Sequence, residues 1–519
     1  MNNYCLAMYD VRGKQNYIFR NNHLKEIVGA SAMIRDVFSD FLYEEAIRYK
    51  NGYDDSFSIE SMDTVIYNLS NKKDESVQIE EFNRDKFVSH MDNGFLGELI
   101  YDGGGNLFVL YKNEDVAKGI TKLFSKRVIK ETETMKVLCT YIVDVDFNDY
   151  KGDRDKLYKK HMLADINNHF EVPSQILPIS QVDNITSMPL SERINTGNNE
   201  EKVSYESYAK YRKYYSLKST GKDNVDLFEG EKFLDNLVEK KGEESLLAIV
   251  YIDGNNMGFK FSNCIKDKSS YEDCIKELRL LSSSVQRDCI EKGIAAINDA
   301  LDKKYKEKGD FRNERRLVVF AGDEINLILN ARDALEAVKA YFDSIKNSDS
   351  KSSCCAGISI FHSHAPYADA YRIAEECCES GKTRMKELGL EEAFYLDFEY
   401  NQGAIGLNLD SIREEDGTEL LSKPWIYKDE KNTGDISLEL IEKEVSLLNK
   451  VARSNVKTLV KAAKTSQNDF DMEIERIKAH SSKEIDFLLD NKIKNNSDLR
   501  KIIYDIGIVF DIWFKGEQQ

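Results

Sequence analysis

"VVFAGDEINLIL" occupies residues 318–329, two apolar runs separated by a turn that carries Gly322, Asp323 and Glu324. This pattern reads as a β-hairpin with two carboxylates at its tip. A second stretch of the same kind, "LIYDGGGNLFVLY" (99–111), carries Gly103, Gly104, Gly105 and Asn106 at its tip instead. Glycine is costly inside a strand, so three in a row mark a tight hairpin or a close approach to the backbone.

The flanks of the two hairpins repeat one another. The first follows a strand, "YCLAMYDV" (4–11), and a helical pattern from Leu24 to Ile47. It precedes a helix at 114–129 and a strand, "KVLCTYIVDVDF" (136–147). The second follows a strand, "SLLAIVYIDGNN" (245–256), and a long amphipathic helix over about 271–307. It precedes a helix at 332–346, the strand "CCAGISIF" (354–361) and a helix over about 366–388. Each set spells β-α-β-β-α-β, the ferredoxin-like order. Asp10 lies 102 − 10 = 92 residues before Asp102, and Asp253 lies 323 − 253 = 70 before Asp323. Surface loops absorb such a difference at small cost, so an internal duplication is expected.

The fold class expected is α+β: two ferredoxin-like palm domains, 1–147 and 243–400, with a connector at 148–242 and an all-helical domain at 401–519. The connector holds Pro173, Pro178 and Pro189 among polar residues and has little core of its own. After Asn401 the apolar spacing becomes helical, as in "ISLELIEKEVSLLNKVARSNVKTLVKAA".

Composition narrows the function. A net charge of −18 over 519 residues argues against a surface built to grip nucleic-acid phosphates, so RNA contact is expected to be local or delegated to partners. No segment has the apolar length of a membrane span or the pattern of a signal peptide, and a cytoplasmic protein with reduced thiols is expected. Of the nine cysteines, Cys354–Cys355 and Cys377–Cys378 are adjacent pairs and lack the two-residue spacer of zinc sites.

The chemistry concentrates at the later hairpin. Asp253 ends one strand and Asp323–Glu324 cap the neighbouring turn, so the topology gathers three carboxylates. They would repel one another without a cation, and hard oxygen donors suit Mg²⁺ or Mn²⁺, with the Ile252 carbonyl as a further ligand. Gly254 and Asn255 follow Asp253 and leave backbone for a triphosphate to approach, while Gly322 makes the turn. Lys382, in "ESGKTRMKELG", stands where it could fold over a β/γ-phosphate. Arg384 and Lys386 read as a solvated basic helix end.

These segments resemble one family in content and order. "YDVRGKQNYIF", "LKEIVGASAMIRDVF", "DGGGNLFVLY", "YIDGNNMGFKF", "VVFAGDEINLIL", "AGISIFHSHAPYADAYRIAEECCESGK" and "LSKPWIY" are similar to the large polymerase-cyclase subunit of type III CRISPR effector complexes, which has two palms. The resemblance implies an antiviral enzyme that makes cyclic oligoadenylate messengers from ATP at the interface between the palms. Asp253, Asp323 and Glu324 would hold metal in the second palm. Gly103, Gly104, Gly105 and Asn106 would pack against an acceptor nucleotide in the first. Guide-RNA-bearing subunits would dock on the helical tail.

Two departures stand out. The family's Gly-Gly-Asp-Asp is here Ala321-Gly322-Asp323-Glu324, as in the Gly-Gly-Asp-Glu of diguanylate cyclases. No adjacent His-Asp pair is present, which implies a form without the family's N-terminal nuclease domain, and the connector lacks the paired-cysteine zinc finger. Two other readings stay open: a catalytically weak scaffold subunit, and a stand-alone cyclase that makes another nucleotide signal from ATP or GTP.

Overall fold

The computed structural model describes residues 4–21, 23–52, 65–69, 81–103, 105–167, 179–184, 186–195, 200–220, 237, 245–308, 315–321, 323–348, 352–401, 406–416, 420–480 and 496–514. Gly104 and Gly322 of the two expected turns, and Pro173 and Pro178, lie outside the described residues.

The first sheet contains β1 (Cys5–Arg12), β2 (Ile66–Tyr67), β3 (Gly97–Gly103), β4 (Asn106–Tyr111) and β5 (Lys136–Val143), in the spatial order β2-β3-β4-β1-β5. Leaving out the two-residue β2, the expected strands stand fourth, first, third, second, the antiparallel ferredoxin-like arrangement. Helix α1 (Leu24–Val37) follows β1, and α2 (Glu114–Thr132) joins β4 to β5. Asn113 caps α2 through its side chain, which accepts from the Val116 N–H and satisfies one of the orphan donors at the helix start.

The second sheet contains β8 (Leu246–Gly254), β9 (Arg315–Ala321), β10 (Glu324–Asn330), β11 (Cys354–His362), β12 (Tyr395–Asn401) and β13 (Trp425–Ile426), ordered β13-β12-β11-β8-β10-β9. Its last four strands repeat the same fourth-first-third-second order, so the duplication expected from sequence is present. Two additions were not read from sequence. Strand β12 adds to β11 in parallel, and β13 lies inside "LSKPWIY", within the stretch read as helical. Two residues carry no periodicity, so β13 left no pattern to find.

The chain forms two compact units that cut across the sequence's domain limits. The first takes 1–231, 257–287 and 319–323, and the second takes 232–256, 288–318 and 324–519.

Within the first unit, helix α5 (Tyr271–Val285) contributes Tyr271, Cys274, Ile275 and Leu278 to a core that also holds Tyr4, Leu6, Met8 and Phe108. Buried Arg279 reaches from α5 to β3, donating to the Ile100 carbonyl at 2.7 Å and to the Glu98 carboxylate at 2.9 Å. The Ser282 hydroxyl donates to the Asp102 carbonyl. The strand that leads into the glycine hairpin is therefore fixed by its own ladder and by two donors from a helix. From the segment read as a connector come α3 (Tyr150–Asn167), the hairpin β6 (Leu190–Asn195)–β7 (Glu200–Ser204) and α4 (Tyr205–Thr220). Helix α4 is not a free spacer: at Gly29 of α1 a Cβ would collide with the Lys210 carbonyl, so the two helices touch through backbone.

In the second unit the crossover ends as α6 (Gly293–Lys308), and α7 (Ala334–Lys346) packs beside it. Helix α8 (Tyr367–Glu387) lies over β11 and β12. Gly357 of β11 permits this, because a Cβ there would collide with the Ala374 carbonyl of α8. Then follow α9 (Leu409–Asp416), α10 (Leu438–Leu448), α11 (Arg453–Thr465), α12 (Gln467–His480) and α13 (Asn496–Val509), the helical region expected. A buried ionic network ties them to the sheet. Arg413 of α9 pairs with Asp397 at 2.6 Å and Glu399 at 3.1 Å on β12, and Lys423 pairs with Glu399 at 2.9 Å. Asp505 of α13 accepts from the Ser422 N–H at 2.6 Å and the Lys423 N–H at 3.1 Å.

Two outcomes are expected. Gly357→Ala forces α8 off the sheet and costs about 1–3 kcal/mol, read as a lower urea midpoint. Burial pushes the Asp505 carboxyl up to about 6 from 3.8, against the pull of Lys423 and Ser422. The folded state therefore binds this proton more tightly, and the group's contribution to stability falls as pH rises from about 4 through 6. Asp505→Asn removes that slope, so the stability difference between variant and wild type moves in the variant's favour by about 1 kcal/mol between pH 5 and 7.5.

Candidate active site

Strand register sets the site. In the second sheet β10 runs antiparallel to β8 with Ile325 opposite Ile252, which puts Glu324 opposite Asp253 at the next step. Directly opposed side chains share one face with Cβ atoms about 4.5–5.5 Å apart, and two like charges there destabilise the pair. That face is the one covered by α8. The Tyr371 hydroxyl donates to Glu324 at 3.2 Å, Tyr367 donates to Asn326 at 2.7 Å, and Lys382 donates to Asp253 at 2.5 Å. Gly381 lets the lysine's turn of helix press onto the sheet, since its missing Cβ would stand 2.9 Å from Tyr395 and 3.4 Å from Cys355.

Lys382 is thus a cation that offsets the charge of Asp253 in this structure. Burial works against its charge, but Asp253 overrides burial and holds the ammonium above the ordinary lysine range. Beneath the pair lies Tyr251, whose hydroxyl is pushed well up by burial and then by the charges of Glu324 and Asp253. Its ring meets Tyr371 edge-on at 5.5 Å. Glu375 of α8 is raised by burial and by the charges of Glu376 and Asp253, so a protonatable carboxyl also stands within the field of the site.

The other expected residues fall as follows. Ile252 and Gly254 are buried ladder residues, registered with Ala356 and Cys354. Asn255 is fully buried and holds the loop: its amide donates to the Ser353 hydroxyl at 3.0 Å and the Ala393 carbonyl at 2.8 Å. These two bonds fix the loop beside Asp253, a task its place in the motif does not reveal. Asp323 is part-exposed and groups with the first compact unit. Among the described residues no set of three His, Cys, Asp or Glu side chains is placed to hold a metal ion. Arg384 pairs with Asp435 at 2.7 Å and Lys386 with Glu379 at 3.3 Å, as a structural helix end would. All nine cysteines are free thiols.

The first unit shows the same frame with different chemistry. Asp10 stands opposite Asn106, so Asp10 is the counterpart of Asp253 and Asn106 of Glu324. The register corrects the spacing argument, which matched Asp102 to Asp323; the residue before Asn106 is Gly105. Asp10 is held by Arg12 at 3.0 Å and by His161 at 3.3 Å, and the other ring nitrogen of His161 lies 2.9 Å from the Thr140 hydroxyl. His161 comes from α3, the helix after the fourth strand, as Lys382 comes from α8. Each half therefore sends a basic side chain from the same helix to the same aspartate. His161, Tyr251, Tyr371 and Glu375 were missed in the sequence; the repeat of strand plus following helix was the signal that could have found His161.

The three glycines also divide. Gly105 adopts φ +83°, a left-handed conformation, and a Cβ would stand 2.5 Å from the Lys14 chain. Gly103 has only ordinary contacts, at 3.8 Å from Ser282 and 4.0 Å from Phe261. The turn requires Gly105, and Gly103 leaves the backbone face open. A cavity of about 400 Å³ lies elsewhere in the second unit, where Trp513 and Phe514 meet α7 and α10.

Asp253→Asn leaves Lys382 without its partner; because the pair is partly open to water, the expected loss is about 1–2 kcal/mol by urea unfolding, smaller in 1 M salt.

No family model matches the sequence, and no curated protein matches it. Solved structures do match in shape. A Csm1–Csm4 cassette in complex with pppApApA gives a TM-score of 0.52 at 12% identity, over 99% of this chain and 69% of that chain. The cassette in complex with AMPPNP gives 0.51 at 12% identity, over 98% and 69%. Csm1 from T. onnurineus gives 0.50 at 11% identity, over 99% and 69%. In fold, then, this chain is similar to the Csm1 structures, the architecture that the order of its motifs led us to expect.

Proposed function

We propose that the protein is a metal-dependent nucleotidyltransferase that joins ATP into cyclic oligoadenylate messengers in type III CRISPR-type antiviral defence. The observation that carries this reading is the opposed Asp253–Glu324 pair with a lysine on the same face. Such a pair is costly unless a cation resides there, and its hard oxygen donors suit Mg²⁺ or Mn²⁺. Asp253, Glu324, the adjacent Asp323 and the Ile252 carbonyl would hold the metal, which would polarise phosphate and acidify the attacking ribose hydroxyl. Lys382 would leave Asp253 for the β/γ-phosphates once the metal takes over the carboxylate. Gly322, Gly254 and Asn255 would shape the backbone around the triphosphate. Gly103, Gly104, Gly105 and Asn106 would let an acceptor nucleotide lie against the first hairpin, where glycines and an amide stand in place of the second hairpin's carboxylates. The Csm1 structures of the same fold bound to pppApApA and AMPPNP support an adenylate substrate. Their Csm4 partner supports a place beside other effector subunits, for which the C-terminal helices are the candidate surface.

A second reading, a scaffold with a silent site, is favoured by the Lys382–Asp253 ion pair, which already neutralises one carboxylate. One experiment separates them: purified protein with each NTP and Mg²⁺ or Mn²⁺, with and without target RNA, and products identified by mass spectrometry. The expected result is adenylate oligomers and pyrophosphate, abolished by EDTA and reduced at least 10³-fold in Asp323→Ala/Glu324→Ala, roughly the loss of a main electrostatic element. Activity that persists in the double variant or in EDTA sinks the site assignment; no turnover of any NTP favours the scaffold.

A further inference from the structure

The acidic balance of the chain has a local exception. Helix α11 carries Arg453, Lys457, Lys461 and Lys464 and no acidic residue, and all four side chains are exposed. At 100° per residue they fall within an arc of about 80° and span roughly 16 Å along the axis. The opposite face of α11, with Val456, Leu459 and Ala463, is buried. Arg453 pairs with Asp511 at 2.7 Å. Among the described residues, the Lys457 and Lys461 ammonium groups make no hydrogen bond or ion pair.

Beside this stripe runs a groove of about 180 Å³ between α11 and the segment that ends α13, lined by Val456, Val460, Gly507, Phe510, the flanks of Arg453 and Lys457, and Asp511, whose charge Arg453 offsets. Gly507 keeps it narrow, because its backbone lies against Val460. A row of cations next to an apolar cleft with an aromatic ring is the pairing that single-stranded nucleic acids use: charge follows the backbone, and a base leaves solvent on the apolar side. An acidic peptide would satisfy the cations but leave the cleft without a partner. A duplex hides its bases.

We propose that the α11–α13 face binds a single strand of nucleic acid, with Lys457, Lys461 and Lys464 on successive phosphates and one base in the groove at Phe510. This surface is independent of the carboxylate site and stands whether or not the protein is a cyclase.

The test uses the full chain and fluorescence anisotropy with a labelled 15-nucleotide single-stranded RNA, the matching single-stranded DNA, a duplex of the same length and polyglutamate. Wild type should prefer the single strands, with RNA against DNA reporting any contact to the 2′-hydroxyl. Lys457→Gln/Lys461→Gln/Lys464→Gln, three exposed positions that leave the melting temperature unchanged, should weaken binding about tenfold or more in 0.1 M salt. The slope of log K against log salt should fall by about 2, near 0.7 for each lost phosphate contact. Val460→Asp should weaken binding without lowering that slope through lost lysine contacts, and circular dichroism checks its fold. Equal binding by wild type and the triple variant, absence of single-strand binding, or polyglutamate binding as tightly as RNA overturns the proposal.

Discussion

The constraint from which the site derives is a register: first strand against third strand, one aspartate opposite one hairpin residue, in both sheets. In an antiparallel ladder that register cannot slip by one residue without sending every side chain to the other face of the sheet, where it meets the wrong neighbours. It is fixed here by fully buried runs, Leu247–Ile252 on β8 and Ile325–Leu329 on β10 among them. What the hairpin residue is then decides the electrostatics. A glutamate at 324 faces Asp253 with a second negative charge, and the helix behind the sheet answers with Lys382. An asparagine at 106 faces Asp10 with none, and the helix behind that sheet answers with a histidine.

Backbone proximity makes these answers possible. A lysine or histidine reaches an aspartate across a helix–sheet gap only if the helix sits close. In the second unit Gly357 and Gly381 remove the two Cβ atoms that would hold α8 away. The glycines that matter most to the chemistry are therefore under the helix, and the conspicuous ones at the first hairpin do a different task. Gly105 serves a left-handed turn under the Lys14 chain, while Gly103 keeps one side of the hairpin free of side-chain bulk.

Much of this was legible in the sequence, and the reasons are physical. Strand order followed from apolar runs and turn residues, because those patterns reflect burial, which is local enough to read. The carboxylates announced themselves because acids at a hairpin tip next to a strand-end aspartate are chemically conspicuous. Tyr251, Tyr371 and Glu375 did not, since an aromatic or acidic residue on a helix or strand looks the same whether it lines a core or a site. Asn255 shows a further task that its motif does not display: its buried amide nitrogen ties the loop to Ser353 and Ala393. The spacing argument matched Asp102 to Asp323 because it counted residues between acids, whereas the fold matches positions across a ladder. The short β13 and the docking of α4 on α1 were invisible, one too brief to show a period and the other set by a backbone contact at Gly29.

The difference between the halves also explains how a duplicated sheet can divide labour without changing shape. Two opposed carboxylates call for a cation beside them, and Lys382 supplies one from the end of a flexible chain. An opposed aspartate and amide form a site in which Arg12 offsets the aspartate and a ring is fixed between Asp10 and Thr140. The first arrangement suits a place where charge must change during a reaction; the second suits a rigid platform. One hairpin position, carboxylate at 324 against amide at 106, is enough to change the charge that each half places opposite its aspartate.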